Sequence, residues 1–172
     1  MKDIAPLKPA QRELRIQLRE PQPGDLGWVV QQHGEIYFEE YGLDTKFEAL
    51  VARIVADFIE KFQPEWERCW IATLNGERVG CTFVVRQSKT VAKLRLVLLT
   101  AQARGQGLGG RMTDQAIHFA RSTGYKKMVL WTQSNLLAAR AIYASRGFRC
   151  TAQEANHNFG QDLVSETWEL KL

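Results

Sequence analysis

The chain has 172 residues, a length typical of one domain, and 45% of them are hydrophobic, which is enough for a buried core. Its formal net charge of +4 is small and no long basic run occurs, so nucleic-acid binding has no support and an acidic small ligand fits better. No signal peptide or membrane-spanning run is visible, and we therefore expect a cytoplasmic protein without a membrane partner.

The first part of the chain is expected to be an arm followed by a strand. Residues 1–11 contain two prolines and predict a flexible arm, which leaves residues 12–172 as a single folded domain. Apolar and polar residues alternate from Leu14 to Arg19, the period of a half-buried strand. The proline-rich segment 21–25 ends this strand.

Two helices are predicted next. Asp25 is a plausible N-cap for a helix over residues 26–40, and Gly42 is a plausible C-terminal stop. The segment Thr45-Lys-Phe-Glu48 matches a capping box, and the apolar residues from Leu50 to Ile59 recur at helical spacing.

A hairpin and a central strand follow. Residues 70–74 and 79–85 are apolar runs separated by Asn75-Gly76, a dipeptide that favours a tight hairpin turn. After a further turn at 87–90, residues 94–99 form a short, nearly continuous apolar run. Such a run is typical of a central strand that is covered on both faces.

A glycine-rich turn links this strand to the next helix. Gly105, Gly107, Gly109 and Gly110 lie within six residues, and apolar residues then recur at helical spacing from Leu108. Glycines allow positive φ and let amide N–H groups approach a ligand closely. Together with the helix dipole, this arrangement predicts an anion site for a phosphate or diphosphate.

Two common phosphate loops fit this turn poorly. A Walker A loop needs Gly-Lys followed by Ser or Thr, whereas Gly110 is followed by Arg111 and Met112. Gly105, Gly107 and Gly110 do satisfy G-x-G-x-x-G, but the next strand ends without the acidic residue that holds a ribose. A dinucleotide-binding oxidoreductase domain therefore remains a minor alternative.

The last third of the chain predicts alternating strands and helices. Gly124 ends the glycine-loop helix, and a strand over 126–131 must run parallel to the central strand because a helix connects the two. A helix over 136–145 follows, and then two strands over 148–154 and 163–172, joined by a loop containing His157 and Asp162.

Cysteine and histidine show no metal-site spacing. Neither C-x-x-C nor H-x-x-x-H nor H-E-x-x-H occurs, so we expect free buried thiols and no bound metal. The residues concerned are Cys69, Cys81, Cys150, His33, His118 and His157.

Two motifs together carry a family resemblance. Arg104, Gly107 and Gly109 read as R-x-x-G-x-G, which resembles the pyrophosphate-binding motif of the GNAT superfamily of acyl-CoA-dependent N-acyltransferases. The segment from Trp131 to Phe148 is similar to that family's second cofactor motif. The resemblance implies an α/β (α+β) fold with a mixed twisted sheet of about seven strands and four helices, in the order β-αα-βββ-αβ-αβ-β. More narrowly, residues 24–30 and the C-terminal strands resemble the acyltransferase domains fused to MarR-type regulators of bacteria.

The resemblance also implies a cofactor, acetyl-CoA (coenzyme A), and the residues that bind it. The strand backbone would pair with the pantetheine arm, the loop would hold the diphosphate, and Asn135 would either cap its helix or touch the cofactor. Tyr143 would be either a core residue or the general acid for the leaving thiolate. The implied cofactor-binding residues are Val97, Leu98, Leu99, Arg104, Gly105, Gln106, Gly107, Leu108, Gly109, Gly110, Asn135 and Tyr143.

The acceptor side is less defined. Family topology places the acceptor pocket beside the first predicted helix, whose aromatic residues and glutamates would equally suit an amphipathic core helix. Arg95 would either bind an acceptor carboxylate or pair with a glutamate. The central strand contains no glutamate, so the candidates for the general base are Glu35, Glu39, Glu40 and His157, with water held by a first-helix glutamate favoured.

The predicted function is acetyl-CoA-dependent N-acetyl transfer to a primary amine of a small molecule, amino acid or peptide. The alternative from another class is a non-catalytic module that senses acyl-CoA. The sequence leaves a homodimer open.

Overall fold

The computed structural model of the protein describes residues 15–172, so the predicted arm and Leu14 lie outside the described part. The element order β-αα-βββ-αβ-αβ-β is confirmed, with one additional 3₁₀ turn at Ala101–Ala103. The elements are β1 (Ile16–Arg19), α1 (Asp25–Tyr41), α2 (Thr45–Lys61), β2 (Arg68–Leu74), β3 (Glu77–Arg86), β4 (Val91–Leu99), α3 (Leu108–Thr123), β5 (Lys127–Gln133), α4 (Leu137–Ser145), β6 (Arg149–Asn158) and β7 (Gln161–Lys171).

A seven-stranded mixed sheet forms the centre of the fold. Its strand order is β1-β2-β3-β4-β5-β7-β6, and β4 with β5 is its parallel pair, as the helical connection requires. Helices α1 and α2 bury Val29, Val51 and Phe58 against one face of the sheet. Helix α3 packs against the other face, where α4 contributes Tyr143. The predicted fold class is therefore confirmed.

The two parallel strands separate after four residue pairs. Pairing runs from Val91 with Lys127 to Leu94 with Leu130 and then stops, although β4 continues to Leu99. Strand β5 meanwhile stays paired with β7 as far as Gln133. A gap therefore opens between the ends of β4 and β5, and we call it the strand gap.

A bulge in β4 lies where the strands separate. Leu96 has φ +52°, and the register between β3 and β4 shifts at the same place. Beyond the bulge, the Thr100 N–H donates to the Val79 carbonyl at 2.8 Å. Since hydrogen-bonding direction alternates along an antiparallel strand, the backbone groups of Val97 and Leu99 point away from β3, towards the strand gap.

The two predicted caps of α1 and α2 are wrong by one residue. Gly24, in the left-handed conformation, precedes α1, and Asp25 is the first helical residue. Asp25 is buried because Arg19 and Arg78 bind its carboxylate, at 2.6 and 3.3 Å. The N-cap of α2 is Asp44, which accepts from the Lys46 N–H at 2.9 Å, so Thr45-Lys-Phe-Glu48 is not a capping box.

Further corrections concern the C-terminal hairpin and the thiols. Strands β6 and β7 extend through most of the predicted loop and leave only a short turn at Phe159-Gly160. Cys69 and Cys81 are buried as expected, but Cys150 is exposed because β6 is the outer strand of the sheet. Over residues 15–172, no helix has both the length and the apolar character needed to cross a bilayer.

Candidate functional site

The glycine-rich loop presents a run of free amide groups. Within residues 15–172, no acceptor is found for the backbone N–H groups of residues 105–110, and the first bond of α3 is from the Arg111 N–H to the Gly107 carbonyl at 3.1 Å. No side chain caps this end of α3. Six successive N–H groups at the positive end of a 16-residue helix attract a multiply charged anion.

Two of the loop glycines have backbone angles that favour glycine. Gly105 and Gly107 have φ +74° and +72°, and a Cβ built on either has no heavy atom within 4 Å. The space beside them is therefore open towards solvent. The absence of side chains here lets an anion approach the loop amides closely.

The loop lines an elongated cleft of about 550 Å³, which we call the loop cleft. Its walls come from α1, the end of β4, the loop and α4. Nine of the twelve predicted cofactor-binding residues lie on these walls: Val97, Leu98, Leu99, Arg104, Gly105, Gly107, Leu108, Gly109 and Gly110. The cleft therefore combines an open strand edge at one end with an anion site at the other.

The remaining three predicted binding residues are not on the cleft wall. Gln106 is exposed and bonds to the Gln102 carbonyl at 3.1 Å. Asn135 is exposed in the turn before α4, and Leu136 occupies the N-cap position, so the predicted Asn135 cap is wrong. Tyr143 lies behind the wall, where it is 6% exposed and packs edge-on against Phe148.

Arg104 is held at the mouth of the anion site by two acceptors. Its Nη1 lies 2.8 Å from Glu40 Oε1, and its Nε donates to the Leu99 carbonyl at 3.1 Å. Glu40 is thus the partner of Arg104 and, with it, lines the loop cleft. This pairing directs the guanidinium along the cleft and gives Glu40 an electrostatic role beside the loop.

Arg146 is a wall residue that the motifs did not reveal. It follows α4, binds Asp114 at 2.8 Å, and lies against Gly110 so closely that a Cβ there would collide with its guanidinium. The ion pair with Asp114 offsets the unfavourable interaction of this cation with the positive end of α3. The one sequence signal was a basic residue directly after the predicted helix.

A second cavity of about 360 Å³ lies on the α1–α2 side of the sheet, and we call it the side cavity. Its walls are mainly apolar and come from α2, β4 and the end of β5. Tyr37 and Leu136 line both the side cavity and the loop cleft. The two spaces therefore meet at the strand gap. Two successive residues of β4 line different spaces, Leu96 the side cavity and Val97 the loop cleft.

Two phenols come from opposite faces of the sheet, and Tyr37 is the one that lines the junction. Tyr37 comes from α1 and Tyr143 from α4. Burial raises the pKa of both, and the nearby Tyr143 adds to the rise at Tyr37. Neither phenol has a hydrogen-bond partner within the described residues, so both stay protonated at neutral pH and are available as donors.

The other predicted base candidates lie apart from the junction. Glu35 accepts from Gln31 and Gln32 on the outer face of α1. Glu39 is exposed and lines neither cavity. His157 is 70% exposed on β6, paired with Asp162 at 2.7 Å, because β6 and β7 form a tight hairpin in place of the predicted loop. The structure does not bring Glu39 or His157 to either cavity.

His33 supports the junction from inside the core. Its Nδ1 lies 2.7 Å from the Val29 carbonyl, so this nitrogen carries the proton, and its ring stacks on Tyr37 at 5.9 Å. Burial lowers the pKa of His33 to about 4, and the imidazole is therefore neutral at pH 7. Among residues 15–172, no group of three or more potential ligands could hold a metal ion.

Two known proteins are similar to part of this chain. The chain is 32% identical over 81 residues to N-acetylaspartate synthetase of Danio rerio, covering 46% of this chain and 29% of that protein. It is 29% identical over 109 residues to human N-acetyltransferase 8B, covering 60% of this chain and 48% of that protein. The chain therefore spans less than half the length of these relatives.

Solved structures show the same fold. The structure of yncA from Salmonella typhimurium with its cofactor acetyl-CoA has a TM-score of 0.74 at 20% identity, covering 91% of this chain and 94% of that one. Spermidine N-acetyltransferase from Vibrio cholerae, in complex with CoA and spermine, has a TM-score of 0.70 at 13% identity, with coverage of 91% and 95%. A model of the acetyltransferase (GNAT) family matches residues 32–148, more than half of the chain, and the protein belongs to this family, whose cofactor is acetyl-CoA.

Proposed function

We propose that the protein is an acetyl-CoA-dependent N-acetyltransferase that acts on a primary amine of a small molecule, amino acid or peptide. The observation that carries this proposal is the run of six unpartnered amides at residues 105–110, which adjoins an open strand edge in the same cleft. A diphosphate with an extended amide-containing arm fits such a cleft, because the anion site and the strand edge supply complementary groups along its length.

The binding residues divide by chemistry. The amides of residues 105–110 donate to the diphosphate, and Arg104 and Arg146, each paired with a carboxylate, present further N–H donors beside it. The free backbone groups of Val97 and Leu99 hold the pantetheine arm in the manner of an added strand. Bound acetyl-CoA supplies the thioester whose acetyl group is transferred.

Tyr143 is the proposed general acid. Burial raises its pKa and keeps the phenol protonated at neutral pH. A protonated phenol donates to the departing thiolate and does not compete as a nucleophile. Tyr37, which lines both cavities, is proposed to orient the reacting groups.

The amine must lose a proton before or during attack, because an alkylammonium with a pKa of about 10.4 is almost wholly protonated at pH 7. Glu40 is the first-helix carboxylate on a described cavity wall, yet it binds Arg104. We infer that Glu40 positions Arg104 and that the proton leaves through water in the strand gap. We propose no catalytic role for Glu39 or His157, because neither lines a cavity.

The names of the similar proteins do not agree on one acceptor. One relative is an N-acetylaspartate synthetase and one structural neighbour is a spermidine N-acetyltransferase, so these names include both an acidic and a basic amine. A cytoplasmic location in a bacterium, a kinship with domains fused to MarR-type regulators and a homodimer remain proposals from the sequence.

A pair of glycine substitutions tests the cofactor site. Gly107 and Gly124 cap the two ends of α3, have φ +72° and +95°, and leave a built Cβ without a neighbour within 4 Å. Alanine therefore introduces similar backbone strain at both positions, but only Gly107 lines the loop cleft. We expect Gly107→Ala to weaken CoA binding at least about tenfold in calorimetry, since hydrogen bonds to a charged group are lost. Gly124→Ala should keep the affinity of the parent.

Equal CoA affinity in the two folded variants would refute the loop assignment. Release of free thiol from acetyl-CoA with a panel of primary amines then tests the activity. Tight CoA binding with no turnover across that panel would favour the acyl-CoA sensor instead.

A further inference from the structure

The side cavity contains two cations and no anion. Lys93 and Arg95 lie two residues apart on β4 and therefore project from the same face of the strand into this cavity. Both side chains are half-buried, and neither forms a salt bridge or a side-chain hydrogen bond with another residue of the described chain. No aspartate or glutamate from residues 15–172 lines the cavity.

Several other partly buried arginines of the described chain have carboxylate partners. Arg19 binds Asp25 at 2.6 Å, and Arg140 binds Glu166 at 3.0 Å. The carboxylate that acts on Arg95 electrostatically is Asp57 of α2, but Asp57 forms its own ion pair with Lys61 at 2.5 Å. Partial burial of an unpaired charge is unfavourable, and it lowers the pKa of both Lys93 and Arg95. Folding alone gives no reason for two such cations in one apolar cavity.

The rest of the cavity has a different chemistry. Phe47, Val51 and Ile54 from α2 form an apolar wall, and Trp131 and Phe159 complete it. The opening towards the loop cleft lies at Tyr37 and Leu136, and Tyr37 packs against Phe47 of the apolar wall with ring centroids 4.6 Å apart. A ligand that fills the cavity therefore needs an anionic group, an apolar group, and an end that reaches the strand gap.

We propose, on the basis of the acetyl transfer proposed above, that the acceptor is an amino acid with an apolar side chain, whose carboxylate binds Lys93 and Arg95 and whose amine faces the strand gap. Carboxylates are bound strongly by guanidinium and ammonium groups in partly desolvated sites. The apolar side chain packs against the α2 wall, where burial of its surface adds affinity.

The same charges assist the reaction. In the transfer, the neutral amine nitrogen forms a bond to the thioester carbonyl carbon, and the carbon–sulfur bond breaks. The nitrogen gives up one N–H proton to water, the thiolate takes one from the proposed acid Tyr143, and solvent returns that proton to the phenol. The ammonium form must first lose a proton to water. One bound carboxylate neutralises one of the two cations, and the remaining positive charge near the amine favours its neutral, nucleophilic form. It also repels polyamines, which carry several positive charges.

Three matched acceptors test the proposal in the unmodified protein: L-phenylalanine, its amide, and phenethylamine, which lacks the carboxylate. Thiol release from acetyl-CoA gives kcat/KM for each. We expect L-phenylalanine to exceed both others by about 10- to 100-fold, the range for hydrogen bonds to a charged group, and to exceed spermidine as well. A preference for phenethylamine or for spermidine would overturn the amino acid proposal and leave acetyl transfer standing.

Substitutions locate the specificity. Arg95→Gln should lower the ratio of kcat/KM for L-phenylalanine to that for phenethylamine by about tenfold or more, chiefly through KM, and Lys93→Gln should act in the same direction. Arg53→Gln on the exposed face of α2 is the matched control and should keep the ratio of the parent. A ratio unchanged in both cavity variants would refute the assignment of these two side chains.

A binding measurement separates this proposal from acetyl transfer itself. N-acetyl-L-phenylalanine, the product, is titrated into the CoA-loaded protein and compared with N-acetylphenethylamine. We expect the carboxylate-bearing product to bind more tightly, and Arg95→Gln to remove most of the difference. Equal binding overturns the proposal even if no amine is turned over, whereas a carboxylate preference without turnover supports the site and refutes the enzyme.

Discussion

Acidification should weaken the folded protein through His33. This side chain is 2% exposed, packs against Tyr37 and Phe47, and has its pKa lowered from 6.5 to about 4. Between these two pH values the unfolded chain binds a proton that the folded chain excludes. The stability contributed by the neutral imidazole is therefore complete above pH 6.5 and decreases as the pH falls towards 4.

The size of the effect follows from the two pKa values. At pH 5 the unfolded imidazole is almost fully protonated and the folded one is almost fully neutral. The linkage relation then gives a loss of about 2 kcal/mol between pH 7.5 and pH 5. This is a measurable part of the roughly 5–15 kcal/mol that stabilises a typical domain.

The assay is urea unfolding followed by circular dichroism at pH 7.5 and pH 5. His33→Gln keeps a side-chain donor for the Val29 carbonyl but cannot titrate, so its free energy of unfolding should fall about 2 kcal/mol less than that of the parent over this interval. His118→Gln, on the exposed face of α3, is the matched control and should follow the parent. Parallel pH dependence in His33→Gln and the parent would refute the buried, neutral imidazole.

Two further predictions concern the chemical step. Tyr143→Phe should lower turnover by about 10²- to 10⁴-fold with little change in CoA affinity, since a general acid acts in the transition state, and unaltered turnover would leave Tyr143 a core residue only. Glu40→Gln, Glu39→Gln and His157→Gln should each keep the acid limb of the kcat/KM pH profile, which is the loss of activity at low pH, because none of these side chains lines the side cavity. Loss of that limb in any one of them would identify it as the base.

Local patterns predicted the elements and the position of the glycine-rich loop well, because the signals are local. Gly107 lies at the start of α3 and Gly124 at its end, as glycines with positive φ do. The order of strands and helices followed from hydrophobic periodicity, and the parallel pair followed from the helical connection. Nine of the predicted binding residues lie together in the loop cleft because they come from two short, neighbouring stretches of the sequence.

The errors arose where distant residues decide the outcome. Asp25 lost its predicted capping role because it is bound by Arg19 and by Arg78, which is 53 residues away. Arg146 reaches the glycine-rich loop because Gly110 has no side chain. These two residues are 36 positions apart in the sequence. No rule based on short spacing identifies such partners, and the same is true of the ion pair that Glu40 forms with Arg104.

The bulge at Leu96 explains how one strand serves both cavities. Side chains alternate between the faces of a strand, so Lys93 and Arg95 share the side-cavity face, and Val97 and Leu99 would share it too in a regular strand. One extra residue reverses the alternation. Leu98 then packs on the α1–α2 side, whereas Val97 and Leu99 pack towards α3.

The bulge puts Leu96 in a strained backbone conformation, and burial of the core does not by itself require this strain. A non-glycine residue in the left-handed region is less stable by on the order of 1–2 kcal/mol, and leucine has no polar side chain to offset this. The same residue marks the point beyond which β4 no longer pairs with β5. In a regular strand, Lys93 and Arg95 would keep their positions. The side chains of Val97 and Leu99 would then point to the same face of the sheet as these two cations. The strained conformation of Leu96 thus joins the side cavity to the loop cleft, and the proposed transfer needs both spaces to meet on one strand.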